Sequence, residues 1–251
     1  MSEAVIVAKE DGVIAGQALA RAVFQALDSA VVYEETKTDG TFVRSGETVA
    51  KMRGKTRAIL SGERTALNIL QRLSGVATTT KRFADRVAGT KTRILDTRKT
   101  TPGMRILEKY AVRMGGGHNH RINLNDMALI KENHVAAAGS IRNAVQRVRQ
   151  AFPDRLIEVE VRNMDELEQA LQEPVNRIML DNWSTDDMRR GVALVKGRVE
   201  LEASGNMSIE RVREVAETGV DFISVGAITH SYKALDLSLL ITTGPGEAPN
   251  R

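Results

Sequence analysis

Two hydrophobic periodicities divide the chain. Up to about Gly62 the apolar residues come in short runs broken by turn pairs. Ala4-Val5-Ile6-Val7-Ala8 stops at Asp11-Gly12, Val31-Val32-Tyr33 precedes Asp39-Gly40, and Ser45-Gly46 separates Thr41-Phe42-Val43 from Thr48-Val49-Ala50-Lys51-Met52. Short runs bounded in this way read as strands joined by tight turns. One helical stretch interrupts them, opened by Gly16 and carrying Leu19, Val23 and Leu27 at four-residue spacing. From Glu63 to Val87 the spacing is helical through Leu67, Leu70, Leu73 and Val76, with an irregularity predicted at Gly75. The pattern predicts a small α/β domain over residues 1–90.

From Thr92 onward strand and helix alternate. Ile94-Leu95, Leu129-Ile130, the run from Ile157 to Val161, Ile178-Met179-Leu180, Val199-Glu200-Leu201 and Phe222-Ile223-Ser224-Val225 are strand-like, and most lead into an amphipathic helical stretch. Such alternation builds a parallel sheet. The six runs close on Asp96, Lys131, Glu160, Asp181, Ser204 and Gly226, each roughly 20 to 35 residues after the last. In a β/α barrel the carboxyl ends of the strands converge on one mouth, so these residues would share a site. A doubly wound open sheet is the alternative that the pattern leaves standing. The Gly-Pro-rich end, Gly244-Pro245-Gly246, predicts a disordered tail over 244–251.

Composition narrows the function classes. A chain of 251 residues with 42% hydrophobic content can bury a full core. Its 36 basic and 32 acidic residues leave a net charge of only +4, and its few aromatics form no stacking motif among the cations, which argues against nucleic-acid binding. The absence of cysteine excludes disulfides, thiolate catalysis and cysteine-ligated metals. Met1-Ser2-Glu3-Ala4 does not read as a targeting signal, and no run approaches the ~20 apolar residues of a membrane span. A cytoplasmic protein without membrane or nucleic-acid partners is expected.

Candidate chemistry concentrates between Asp96 and His134, which holds three of the four histidines. Arg98 and Lys99 leave a strand for a loop at the expected mouth, where guanidinium and ammonium groups suit carboxylate and phosphate. Thr101-Pro102 opens a helix on which Arg105, Lys109 and Arg113 read as a solvated basic face. Gly115-Gly116-Gly117 then sets His118, Asn119, His120 and Arg121 beside backbone that a ligand can approach closely. Alternate spacing would let His118 and His120 share a metal, but with no third nitrogen or sulfur ligand nearby, contact with an anionic substrate is the stronger reading. Glu160 and Asp181, closing successive strands, offer hard oxygen to magnesium held largely through water and phosphate. Salt bridges to Lys131 and Arg98 are the alternative. Glu158 shares a strand face with Glu160, and the pattern does not choose between them. Ser204-Gly205 and Gly226, with His230 beyond, suit a cup for a phosphate monoester.

In these motifs the chain resembles the quinolinate phosphoribosyltransferase family, the decarboxylating nicotinate-nucleotide pyrophosphorylases. The resemblance is carried by Glu63-Arg64-Thr65-Ala66-Leu67-Asn68, Leu95-Asp96-Thr97-Arg98-Lys99-Thr100, Asn119-His120-Arg121, Ile130-Lys131-Glu132-Asn133-His134, Glu158-Val159-Glu160, Leu180-Asp181-Asn182, Ala203-Ser204-Gly205 and Val225-Gly226-Ala227-Ile228-Thr229-His230-Ser231. It implies an open-faced α/β sandwich over residues 1–90, completed by 232–243, joined to an incomplete β/α barrel over 91–231. It also implies a homodimer, or a hexamer of dimers, in which Arg64 enters the neighbour's site. By the same resemblance Arg98, Lys99, His120, Arg121 and Lys131 would hold quinolinate. Glu160 and Asp181 would serve magnesium and the ribose or pyrophosphate of phosphoribosyl pyrophosphate, while Ser204, Gly205, Gly226 and His230 would bind its 5-phosphate. Lys99, Lys131, Glu160 and Asp181 would stand nearest the chemistry. Family members usually carry an acidic helical segment and a strand before the position of Ala4, so the resemblance implies an exposed edge or face on the first sheet here. Use of nicotinate, the family's molybdenum-transport-associated paralogue, and a non-catalytic phosphometabolite-binding protein are the competing readings.

Overall fold

The computed structural model of the protein describes residues 1–242, and the predicted tail over 244–251 lies outside the described residues. In chain order the elements are β1 (Ser2–Ala8), β2 (Gly12–Val13), α1 (Gln17–Leu27), β3 (Val32–Glu35), β4 (Phe42–Val43), β5 (Thr48–Gly54) and α2 (Thr56–Arg86). There follow β6 (Arg93–Leu95), α3 (Arg105–Met114), β7 (Ala128–Ile130), α4 (Glu132–Ala138), α5 (Ile141–Ala151), β8 (Ile157–Val161), α6 (Met164–Ala170), β9 (Arg177–Asp181) and α7 (Thr185–Val195). The last elements are β10 (Glu200–Ser204), α8 (Val212–Ala216), β11 (Phe222–Ser224), α9 (Ala227–His230) and β12 (Leu237–Thr242). They gather into two units, one of residues 1–81, 106–116 and the stretch from Ser231, the other of residues 82–105 and 117–230.

The first unit is an antiparallel sheet in the order β12-β1-β5-β3, with a small β2-β4 pair. Alternation along β1 buries Ala4, Ile6 and Ala8 in the core with Phe24, Val49, Ile59 and Leu70. The opposite face aligns Val5 with Leu240 and Lys51, and Glu3 with Arg53; Leu240 remains 47% exposed there. Helix α1 keeps the expected period but buries a different stripe. Gln17, Ala20 and Phe24 face inward, and Leu27 is 51% exposed. A buried glutamine is tolerated because its amide donates to the carbonyls of Lys37 and Val49 while its oxygen accepts from the Tyr33 hydroxyl. Asp39 caps the same helix, taking the N–H groups of Gly16 and Gln17.

Helix α2 starts seven residues before Glu63, since Ala58 and Ile59 already extend its buried face. Gly75 does not interrupt it. A Cβ at that position would lie 2.3 Å from the Lys233 carbonyl oxygen, so the glycine permits a close backbone approach. The basic face predicted on α3 is not wholly solvated: Lys109 is only 2% exposed, and its neighbour Glu108 is buried with the Arg72 guanidinium 2.5 Å away. Nor does Gly115 wait on a ligand, because a Cβ there would meet the Ala77 carbonyl oxygen at 2.2 Å.

In the second unit six parallel strands take the order β6-β11-β10-β9-β8-β7. From β7 to β11 each strand lies beside its successor in sequence, and β6 returns beside β11. A doubly wound sheet would reverse its order at a switch point. Here the order does not reverse, so right-handed crossovers put the connecting helices on one side of an incomplete β/α barrel. Ser140, Asn163 and Ser184 cap α5, α6 and α7 with side-chain oxygens, fixing where each helix leaves its loop. Alternate residues set two faces. Ile157, Val159, Val161, Ile178, Leu180, Leu201 and Ala203 are buried toward the helices, while Glu158 and Glu160, Met179 and Asp181, and Glu202 and Ser204 share the inner one.

Candidate active site

The carboxyl ends of the six strands and their loops line one cavity of about 780 Å³. Its mouth brings together Arg98, Lys99, Arg121, Lys131, Glu160, Asp181, Ser204, Gly205, Gly226 and His230, with His120 in its wall. Of the residues carried over by resemblance only Arg64 is not in this lining; it is exposed on α2 in the first unit.

Local chemistry explains how each arrives. Asp96, fully buried at the end of β6, accepts the backbone N–H of His120 at 2.8 Å and the side-chain amide of Asn119 at 2.6 Å. It is therefore a tether for the loop that carries His120 and Arg121, and not an open ligand. Arg105 fastens the neighbouring loop through the Thr100 hydroxyl and the Ile122 carbonyl. Thr229 holds the Lys99 carbonyl at 2.9 Å, joining the loop after β6 to the one after β11. The three clustered histidines part company. His118 is exposed, His134 accepts the Lys131 backbone N–H as part of the α4 cap, and only His120 reaches the cavity wall.

The cations are unevenly neutralised. Lys131 Nζ lies 2.8 Å from Glu160, as one expected salt bridge required. Asp181 instead takes the amide of Asn182 at 2.8 Å. Burial lowers the pKa of the Arg121 guanidinium, and so, next, does the charge of Arg98. Two neighbouring guanidinium groups raising each other's energy in a pocket are stabilised by an anion between them.

The same cavity is lined by backbone shaped by small residues. Gly205 sits at φ +92, and a Cβ there would meet the Asn182 side-chain oxygen at 2.1 Å. Asn182 and Asn206 are themselves left-handed, at φ 58 and φ 49, and their amides bond to each other at 3.1 Å. Gly226 leaves room for the His230 ring and the Lys99 stem, which a Cβ would approach at 3.1 and 3.2 Å.

Beneath the mouth is a polar layer that the sequence did not disclose. Where barrels of this kind hold branched apolar side chains, this one holds His120, Glu158, Glu202 and Arg177. The His120 Nε2 is 2.9 Å from Glu158 and 3.3 Å from Glu202, and Arg177 reaches Glu202 at 3.1 Å. Burial pulls the His120 ring down, but the two carboxylates outweigh it and push it up to about 9. Burial and the charge of Glu202 push Glu158 up to about 7. Burial also opposes the charge of Glu202, yet His120, Ser224 and Arg177 hold it below the usual carboxylate range. The backbone N–H of Arg121 points at His120 Nδ1 from 2.8 Å, which suits a neutral ring. His120, Glu158 and Glu202 have ligating atoms within 4.8 Å of one another, spacing that could suit a metal. With the Arg177 guanidinium and the His120 Nε2 already facing these carboxylates, the layer is compensated from within.

Magnesium fits better at Glu160 and Asp181. Both carboxylates line the cavity, and each keeps one oxygen, Oε1 and Oδ1, without a protein donor among the described residues. Hard oxygens of this kind suit an ion that keeps much of its water.

An incomplete β/α barrel whose mouth gathers Arg98, Lys99, Arg121 and Lys131 with Ser204, Gly205 and Gly226 forms a cationic cavity of a size for small molecules. The chain belongs to the quinolinate phosphoribosyltransferase family: residues 1–74 match its N-terminal domain and residues 76–240 its C-terminal domain. It is 44% identical to the chloroplastic nicotinate-nucleotide pyrophosphorylase [carboxylating] of Arabidopsis thaliana over 260 residues, covering 96% of this chain and 74% of that one. It is equally similar to quinolinate phosphoribosyltransferase [decarboxylating] 1b of Nicotiana tabacum, at 44% over 261 residues with the same coverage. The nicotinate-nucleotide pyrophosphorylase structure from Francisella tularensis superposes with a TM-score of 0.94 at 44% identity, over 96% of this chain and 86% of that chain. No described helix is long and apolar enough to cross a membrane.

Proposed function

We propose that the protein transfers the phosphoribosyl group of phosphoribosyl pyrophosphate to quinolinate and decarboxylates the adduct, giving nicotinate mononucleotide, carbon dioxide and pyrophosphate. The observation that carries this reading is the single cavity lined by Arg98, Lys99, Arg121 and Lys131, where the charge of Arg98 adds to burial in disfavouring the Arg121 guanidinium until an anion arrives. Arg98 and Arg121, helped by His120, Lys99 and Lys131, would hold the two carboxylates. A monocarboxylate would leave part of that charge unanswered. The cup of Ser204, Gly205, Gly226 and His230 would take the 5-phosphate.

The residues then act by position and charge. The ring nitrogen's lone pair forms a bond to ribose C1 as the C1–oxygen bond to pyrophosphate breaks, the leaving group departing with that electron pair. Lys131 and Lys99 would offset negative charge, and Glu160 and Asp181 would face the electron-poor ribose. Magnesium, held by Glu160 and Asp181, would neutralise the pyrophosphate. Once the nitrogen is quaternary, the bond to the neighbouring carboxylate breaks, its electrons remain on the ring carbon, carbon dioxide leaves, and a proton replaces it. Arg64, absent from its own chain's cavity lining and exposed on α2, would act from a second copy in a dimer, alone or within a hexamer.

The reaction is tested by mixing the purified protein with quinolinate, phosphoribosyl pyrophosphate and magnesium, with nicotinate replacing quinolinate in parallel. Nicotinate mononucleotide should appear by mass from quinolinate alone. Product from nicotinate, or from neither, would contradict the reading.

A further inference from the structure

Glu202 lines the floor of the cavity, closed off from solvent, where a barrel strand ordinarily contributes an apolar side chain. Its carboxylate accepts from the Ser224 hydroxyl and from Arg177 at 3.1 Å, and lies 3.3 Å from His120 Nε2. Arg177 is fixed in turn: it forks onto Glu200 at 3.0 and 3.2 Å and stacks 3.9 Å above the Phe222 ring. The chain of restraint continues upward. The His120 ring meets the Arg121 backbone N–H, and the His120 backbone is tied to Asp96.

We propose that Glu202 is a positioning residue for the pyridine-carboxylate end of the site, holding His120 and, through it, the loop that presents Arg121. The inference rests on the function proposed above. Buried ion clusters are weak stabilisers compared with apolar residues of similar volume, so stability alone is a poor reason to build a barrel floor this way. Orientation is a better one. Arg177 of β9 and Ser224 of β11 converge on Glu202 of β10, which shares with Glu158 of β8 a histidine carried by a loop. A loop restrained from the barrel floor in this manner keeps its cation in place before substrate arrives.

The test is steady-state kinetics of the whole enzyme with each substrate varied in turn. Glu202→Gln keeps the shape and removes the charge; it should raise the quinolinate KM about tenfold or more while the phosphoribosyl pyrophosphate KM stays within about twofold. Ser224→Ala, which loosens one restraint, should give a smaller rise of the same kind. Both should move the nitrogen-15 resonances of His120. An unchanged quinolinate KM in Glu202→Gln, or an equal rise in both KM values with a lowered Tm, would overturn the proposal in favour of a purely structural role. If Glu202→Gln does not fold, Ser224→Ala decides: an unmoved His120 signal with an unchanged quinolinate KM overturns it. Wild-type turnover is the separate control for the function. Should the wild type fail to turn over quinolinate, the function falls, and calorimetric quinolinate binding then reads Glu202: weaker binding in the variant supports its role and equal binding refutes it.

Discussion

Single residues at the strand ends were the most legible part of the site. Arg98, Lys131, Glu160 and Asp181 each follow a short apolar run, and parallel strands must deliver such residues to one mouth. Glu202 was not legible, because Val199-Glu200-Leu201-Glu202 alternates like a strand with one wet face. Nothing in that spacing says that the polar face looks into a barrel. Asn182 and Asn206 were missed for a related reason, since a left-handed asparagine pair is a matter of backbone angle and not of side-chain pattern. At this scale Arg98→Ala should lower kcat/KM for quinolinate by about a hundredfold or more, the range for removing one partner of a buried charged contact. Circular dichroism should show the fold intact, and near-normal turnover would refute the clamp. His120 should titrate at about 9 and not near 6.5, followed by its imidazole resonances. Because the folded value is raised, its contribution to stability is complete below about 6.5 and is lost as pH rises through about 9.

At the level of elements, periodicity gave helix and strand identity but not phase or extent. In α1 a satisfied glutamine took the buried stripe that Leu19, Val23 and Leu27 had suggested, since Gln17 finds all its partners in the core. In α2 the boundary lay earlier because Ala58 and Ile59 pack like the later turns. Gly75 looked like a helix fault and is a contact point. Gly75→Ala should therefore destabilise the protein by about 1–3 kcal/mol, read by urea denaturation, although alanine is the better helix former. No loss of stability would mean that the Lys233 backbone yields easily.

For the whole molecule, the alternation of strand and helix specified a parallel sheet, and strand order decided between barrel and open sheet. That order depends on pairings that local pattern does not encode: β6 beside β11, and β1 between β5 and β12. The sheet matters because its strand ends, with the loops tethered to them, set the guanidiniums, the carboxylates and the glycines around one volume. The central claim is that this volume couples glycosyl transfer to loss of one carboxylate. It is tested most directly with quinolinate carrying carbon-13 in the carboxylate next to the ring nitrogen, measuring labelled carbon dioxide against nicotinate mononucleotide with and without phosphoribosyl pyrophosphate. The account predicts one labelled carbon dioxide per nucleotide formed and none without the ribose donor; release without the donor, or nucleotide without release, would contradict it.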